Sequence, residues 1–222
     1  MKILCVADHI DPLVYSTQIK GRYKGVSMVL GAGDLPMEYY SYIVSCLNVP
    51  LLFIFGNHNL SRLRHFQRRE ASPAELTADD NFRSQTAYGA TYLEDRVRKM
   101  QKVLIAGLGG SMRYNDGEHQ YTEIQMLFRI FRLLPRLLWN RLVHGRWLDI
   151  LLTHAPPRGI HDKSDLCHTG FKAFLLFMRW FKPKYLIHGH IHLYELNDVR
   201  RTFYKKTEVI NCYDHFVLEY DV

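Results

Sequence analysis

Asp8, Asp34, Asn57 with His58, and His154 each follow a short apolar run, while His190 and His192 flank a single isoleucine just behind Gly189. Carboxylate oxygens, an amide oxygen and imidazole nitrogens in one set suit a divalent first-row ion such as Mn²⁺, Fe²⁺ or Zn²⁺, whereas Ca²⁺ alone would not recruit histidine. Six of the twelve histidines fall between His154 and His192, a density that chance explains poorly. A lone histidine in a strand is usually a satisfied core or surface residue, but two imidazoles one residue apart behind a glycine can converge from one loop. Gly33, Gly56 and Gly189 precede Asp34, Asn57 and His190 and permit tight turns close to an ion, although each glycine alone is weak support. The four cysteines, Cys5, Cys46, Cys167 and Cys212, form no CxxC pair and read as reduced thiols.

Such residues work together only if several strand ends meet. The apolar runs Lys2 to Ala7, Val26 to Leu30 and Leu51 to Phe55 read as strands, with a helix over Met37 to Leu47 entered through Pro36. This alternation predicts βαβ units and a largely parallel sheet in the first third of the chain, and sites in open α/β sheets form at strand exits. Ser61 to Tyr88 is charged and aperiodic and reads as a long surface excursion, in which Arg62, Arg64, His65, Arg68 and Arg69 either gather phosphate or form an exposed basic loop. Further strands are expected at Thr91 to Leu93, Arg96 to Met100, Val103 to Ala106, Asp149 to Thr153, Tyr185 to His188, Glu208 to Cys212 and Phe216 to Tyr220, with a helix over Gly170 to Phe181. The turn GLGGS has neither P-loop nor dinucleotide spacing and reads as a tight strand exit.

Thr122 to Leu142 carries the strongest helical pattern, with Ile124, Leu127, Phe131, Leu134 and Leu138 as one ridge and Pro135 as a kink point. Arg129, Arg132 and Arg136 fall on another face, so the helix either covers the core with a solvated basic side, rests on anionic lipid or meets a partner. With 222 residues, 47% hydrophobic and 23% charged, the chain is expected to form one domain over 1–222 with a sizeable core. The net charge of +7 favours anionic ligands. The apolar start is too short for a signal peptide and no stretch reaches membrane-span length, so a cytoplasmic location is expected.

The ordered motifs GAGDLP, FGNHN, LLTHAPP and HGHIH, behind an opening strand that ends on Asp8, resemble those of the calcineurin-like metallophosphoesterase superfamily. The resemblance spans Lys2 to about His192. It implies an α/β fold, a four-layer αββα sandwich of two mixed β-sheets flanked by helices, with two divalent metal ions at one edge. Mn²⁺ is the first expectation, with Fe or Zn²⁺ as alternatives. By motif, Asp34 would bridge the metals; Asn57, His154 and His190 would complete one coordination sphere, Asp8 and His192 would serve the other, and His58 would touch substrate.

Two positions depart from the pattern. Ile10 stands where the family's DxH histidine is a ligand, leaving His9 or Asp11 as substitutes, with Asp11 the better oxygen donor. Asn59 stands where an acidic residue would orient His58, so a less basic His58 is expected. The reaction expected is hydrolysis of a phosphomonoester or phosphodiester of a small molecule by a metal-held hydroxide, with His58 assisting the leaving oxygen. His161, Asp162, Asp165 and His168 shape the pocket or form a hydrated loop, and His188 reads as a buried strand residue. The competing reading is a metal-binding regulatory scaffold with little or no catalysis. A nuclease is permitted by the charge, although no nucleic-acid motif is present.

Overall fold

The computed structural model describes residues 1–66, 86–195 and 197–221. Of the basic residues expected to gather phosphate, Arg68 and Arg69 lie outside them, and Arg64 pairs with Glu118 at 3.1 Å.

The strands of the first sheet are β1 (Lys2–Ala7), β2 (Val26–Gly31), β3 (Leu51–Phe53), β4 (Thr86–Ala87), β5 (Ala90–Tyr92) and β14 (Asp214–Glu219), in the order β14-β1-β2-β3-β5-β4. The second sheet contains β6 (Arg96–Met100), β7 (Val103–Leu108), β10 (Ile150–Thr153), β11 (Tyr185–His188), β12 (Arg201–Tyr204) and β13 (Thr207–Asn211), in the order β12-β13-β11-β10-β7-β6. In each sheet a parallel centre ends in antiparallel edge pairs. A small parallel pair, β8 (Ser111–Met112) and β9 (Gln120–Tyr121), stands apart.

Period-two alternation sorts the side chains into layers. Ile3, Cys5 and Ala7 point between the sheets, where Leu30, Ile54, Ile105, Leu152 and Ile210 meet them. Leu4 and Val6 point the other way, onto α1 (Ile19–Arg22) and α2 (Met37–Leu47), where Tyr39, Tyr40 and Ile43 are buried. Beyond the second sheet lie α4 (Glu123–His144) and α5 (Lys172–Phe181), covering Leu104, Leu151 and Leu186; the short α3 (Leu63–Phe66) packs on the first sheet. Because both faces of the central strands are covered, they read in sequence as continuous apolar runs. The result is the expected αββα sandwich of two mixed sheets.

α4 corrects one expectation. A capping box between Thr122 and Gln125 opens it and Gly145, at φ 71°, closes it. Of the ridge expected to be buried only Leu127 and Leu134 pack on the core, half-buried; Ile124 is 66% exposed and Leu138 51%, while Met126, Ile130, Leu133 and Leu137 are buried. Arg129, expected on a solvated face, is buried. The helix runs unbroken through Pro135, which lies on the exposed side. The GLGGS turn is structural as expected: Gly110 donates to Phe55 O at 3.0 Å, and a Cβ on Gly109 would meet that oxygen at 2.3 Å.

Candidate metal centre

Several strands of the two sheets end at one edge, and each delivers one polar residue there. Asp8 follows β1, Asp34 follows β2, Asn57 and His58 follow β3, His154 follows β10, and His190 follows β11. Asp8, Asp34 and His190 have left-handed backbone angles, with φ of 66°, 59° and 66°. Asp8 and His190 each sit at the apex of a three-residue turn, closed by His9 N to Ala7 O at 2.7 Å and by Ile191 N to Gly189 O at 2.8 Å.

His154 is the hub. Its Nε2 lies 3.3 Å from Asp34 Oδ2, 3.1 Å from Asn57 Oδ1 and 3.1 Å from His190 Nδ1. Its other nitrogen, Nδ1, donates to Ala32 O at 2.8 Å, and His190 Nε2 donates to Cys167 O at 2.6 Å. With the outer nitrogens of both rings carrying hydrogen, the inner nitrogens, the Asn57 carbonyl and the Asp34 carboxylate all turn lone pairs toward one point. With His154 neutral, four acceptors meet without a donor and fit a divalent cation, and the backbone carbonyls behind the histidines fix ring orientation as ligand-supporting groups do. Asn57 is held in this sense by donation from Nδ2 to Tyr114 Oη at 3.2 Å.

Electrostatics reflect the crowding. Burial opposes a charge on His154, but Asp34 and Asp8 outweigh it and lift its pKa to about 9. Burial also works to raise Asp34, yet His154 and the His58 N–H hold its carboxyl well below the usual range. Asp8 rises to about 7 through burial and the nearby Asp34 and Asp214 carboxylates, against the pull of His154 and the His190 N–H. Burial and the charge on His154 push His190 down to about 3. A proton on His154 therefore occupies the electrostatic role that a cation would take.

The remaining expected residues do not join this cluster. Asp8 receives the His190 N–H and lies 4.0 Å from His154 Nδ1 through Oδ1. His192 turns to Tyr194 Oη at 2.5 Å, and its ring lies tilted against that of Tyr213 at 4.8 Å. His9 pairs with Asp214 at 2.8 Å. Asp11 is engaged by His215 and by Leu13 N. His58 is exposed beside the cluster, its N–H given to Asp34 Oδ1 at 2.8 Å. Asn59 does not orient the His58 ring; its Nδ2 reaches Asp34 O at 2.7 Å and steadies the loop instead.

Behind Asn57 lies a buried network that the sequence did not reveal. His119 bridges Gly56 O at 2.6 Å and Glu94 Oε1 at 2.7 Å. Arg129 meets Glu94, Asp95 and Gly109 O, and its guanidinium lies 4.1 Å over the Tyr121 ring. Only the buried setting of Arg129 on a polar helix face carried a signal, and one sequence does not show burial. On the other flank, His161 accepts or donates between His188 at 2.9 Å and Thr202 at 2.8 Å. With Lys163 and His192 it lines a cleft of about 430 Å³, and His188 is buried as expected.

The model of the family described as "Calcineurin-like phosphoesterase" matches residues 1–194, and the chain belongs to that family. It resembles the UPF0046 protein T07D4.2 of Caenorhabditis elegans at 29% identity over 112 residues, 46% of this chain and 24% of that protein. The chain thus spans about a quarter of that relative. Among solved structures, one aligns over 98% of this chain and 94% of its own with a TM-score of 0.65 at 13% identity. The crystal structure of TT1561 of Thermus thermophilus aligns over 96% of this chain and 89% of its own with a TM-score of 0.57 at 12% identity. Both share the fold. The family is one of phosphoesterases, and the cluster at its sheet edge has the donors for a divalent ion.

Proposed function

We propose that this protein hydrolyses phosphate esters of small molecules at the sheet edge, using divalent ions held by Asp34, Asn57, His154 and His190. The carrying observation is the convergence of three acceptor atoms within 3.3 Å of His154 Nε2. Asp8 and His192 would supply a second, weaker set, since His192 must leave Tyr194 to join it. Ions such as Mn²⁺ would polarise a phosphoryl oxygen and lower the pKa of water at neutral pH.

The protein's own residues do the rest. Asp34, held deprotonated, takes the His58 N–H on Oδ1 and keeps Oδ2 beside His154, so it would serve as the shared carboxylate of the site. His58, exposed and one residue from Asn57, is free to lend a proton to the departing oxygen. The cleft beside His161 and Lys163 accepts the remainder of an anionic substrate.

The test is hydrolysis of bis(p-nitrophenyl) phosphate and p-nitrophenyl phosphate by metal-stripped protein titrated with Mn²⁺, with bound metal counted in parallel. Activity should return with Mn²⁺, vanish in Asp34→Ala, and drop ~10²-fold or more in His58→Ala with metal content intact. Full turnover in His58→Ala would remove its proton-donor role. Metal binding without hydrolysis of either ester would favour a regulatory scaffold, the reading that the missing DxH histidine at Ile10 supports.

A further inference from the structure

α4 has two apolar faces, and the fold covers one of them. Opposite the buried Met126, Ile130, Leu133 and Leu137, the side chains of Ile124, Phe128, Phe131, Leu138, Trp139 and Leu142 stand in solvent, with Leu142 81% exposed. They form one stripe along a helix of 22 residues, roughly 33 Å at 1.5 Å per residue. Trp180 of α5 extends it, its ring 6.4 Å from that of Phe131. Single exposed apolar residues are ordinary, but a continuous stripe of this length marks an interaction surface.

The charge around the stripe is of one sign. Exposed Arg132 and Arg136 lie along one border and exposed Arg141 along the other. The sequence from Ile124 to Leu148 contains no Asp or Glu, and the helix's one acid, Glu123, is engaged with the N–H groups of Lys172 and Ala173 at 2.7 and 3.1 Å. At the far end, Lys99, Lys102, His144 and Arg146 line a groove of about 440 Å³, whose one carboxylate, Asp149, is bound by Arg146 and Leu104 N. A second copy laid on this face would set arginine against arginine with no acid to answer it. Among the described residues no helix is long and apolar enough to cross a membrane.

We propose that α4 docks the protein on an anionic lipid bilayer. The helix lies in the plane of the interface, its Ile124 to Leu142 stripe at the boundary of headgroups and acyl chains and its arginines on lipid phosphates. Trp139 and Trp180 take the interfacial level that indole rings prefer. The face of α4 toward the protein holds the Arg129 network behind Asn57, so docking leaves the metal cluster assembled.

The full chain is sedimented with vesicles of phosphatidylcholine alone or mixed with phosphatidylglycerol. Binding to the mixed vesicles should be about a hundred-fold tighter at low salt, and Arg132→Ala and Arg136→Ala should each weaken it about five-fold. Phe128→Asp with Leu142→Asp should abolish binding while leaving Mn²⁺ uptake unchanged, since both side chains face solvent. Trp139 emission should shift to the blue on vesicles. Equal or absent binding to the two vesicle types overturns the proposal. So does a dimer in sedimentation equilibrium that Leu142→Asp dissolves, for then a second copy covers the face. The arginine variants leave the stripe intact, so they decide the matter even if the aspartate pair unfolds.

Discussion

His190 gives its main-chain N–H to both carboxylate oxygens of Asp8, each at 2.9 Å, so the residue that closes the four-donor cluster also fixes the first acid of the chain. Ions entering this site compete with protons. Asp8 is raised to about 7 and His154 to about 9 without metal, so binding expels protons increasingly as pH falls below those values. Mn²⁺ affinity should rise as pH increases from about 6 to about 9, with proton release visible by calorimetry in buffers of different ionisation enthalpy. A binding heat independent of the buffer would contradict the assignment of His154 as a protonated ligand.

Gly56 allows the close approach of the two halves of the cluster. A Cβ there would lie 2.1 Å from Asp34 Oδ1 and 2.5 Å from His154 Cε1. Gly56→Ala should therefore weaken Mn²⁺ binding by about 10–100-fold, the scale seen when supporting contacts of metal ligands are lost. Equilibrium dialysis at fixed pH reads this directly, and an unchanged affinity would mean that the ligands move freely.

Arg129 lies 2.5 Å from Glu94 and 2.8 Å from Asp95, all largely away from water. Arg129→Met would take the cation from Asp95 and leave Glu94 to His119 and Tyr92 alone, at a loss of about 3–5 kcal/mol in urea unfolding. Arg129→Lys should recover only part, because one ammonium cannot reach Glu94, Asp95 and Gly109 O together. Equal stability of both variants to the original would show that water reaches the network.

His161 is lowered to about 4 by burial. The unfolded chain protonates this imidazole near pH 6.5 while the folded one resists until about 4, so the stability present above pH 6.5 is lost as pH falls through that window. His161→Asn should flatten the fall in midpoint temperature between about pH 7 and about pH 4. An undiminished slope would place the acid sensitivity elsewhere.

The candidate cluster was legible because chemistry and topology coincide: each of its residues sits just behind an apolar run, and parallel strands bring those ends to one edge. Helix α4 was harder to read for an equally physical reason. Ile124, Phe131 and Leu138 repeat at helical spacing, and so do Met126, Ile130, Leu133 and Leu137; periodicity reports both faces and does not rank them. What turns the second set inward is Arg129 seeking Glu94 and Asp95, more than thirty positions away. Likewise the partner of Asp11 was not legible, because the return of β14 brings His215 to it from the far end of the sequence.

Asp8, Asp34 and His190 hold backbone angles that glycine adopts without strain and other residues adopt at about 1–3 kcal/mol each. Glycine at any of them would relax the turn and delete the ligand, so heat tolerance and metal retention pull these three codons in opposite directions. A library screened for survival at high temperature in chelator should drift toward glycine there, and the same library grown with Mn²⁺ should not. The dihedral angles of these loops thus set the cost in stability against the proposed metal binding.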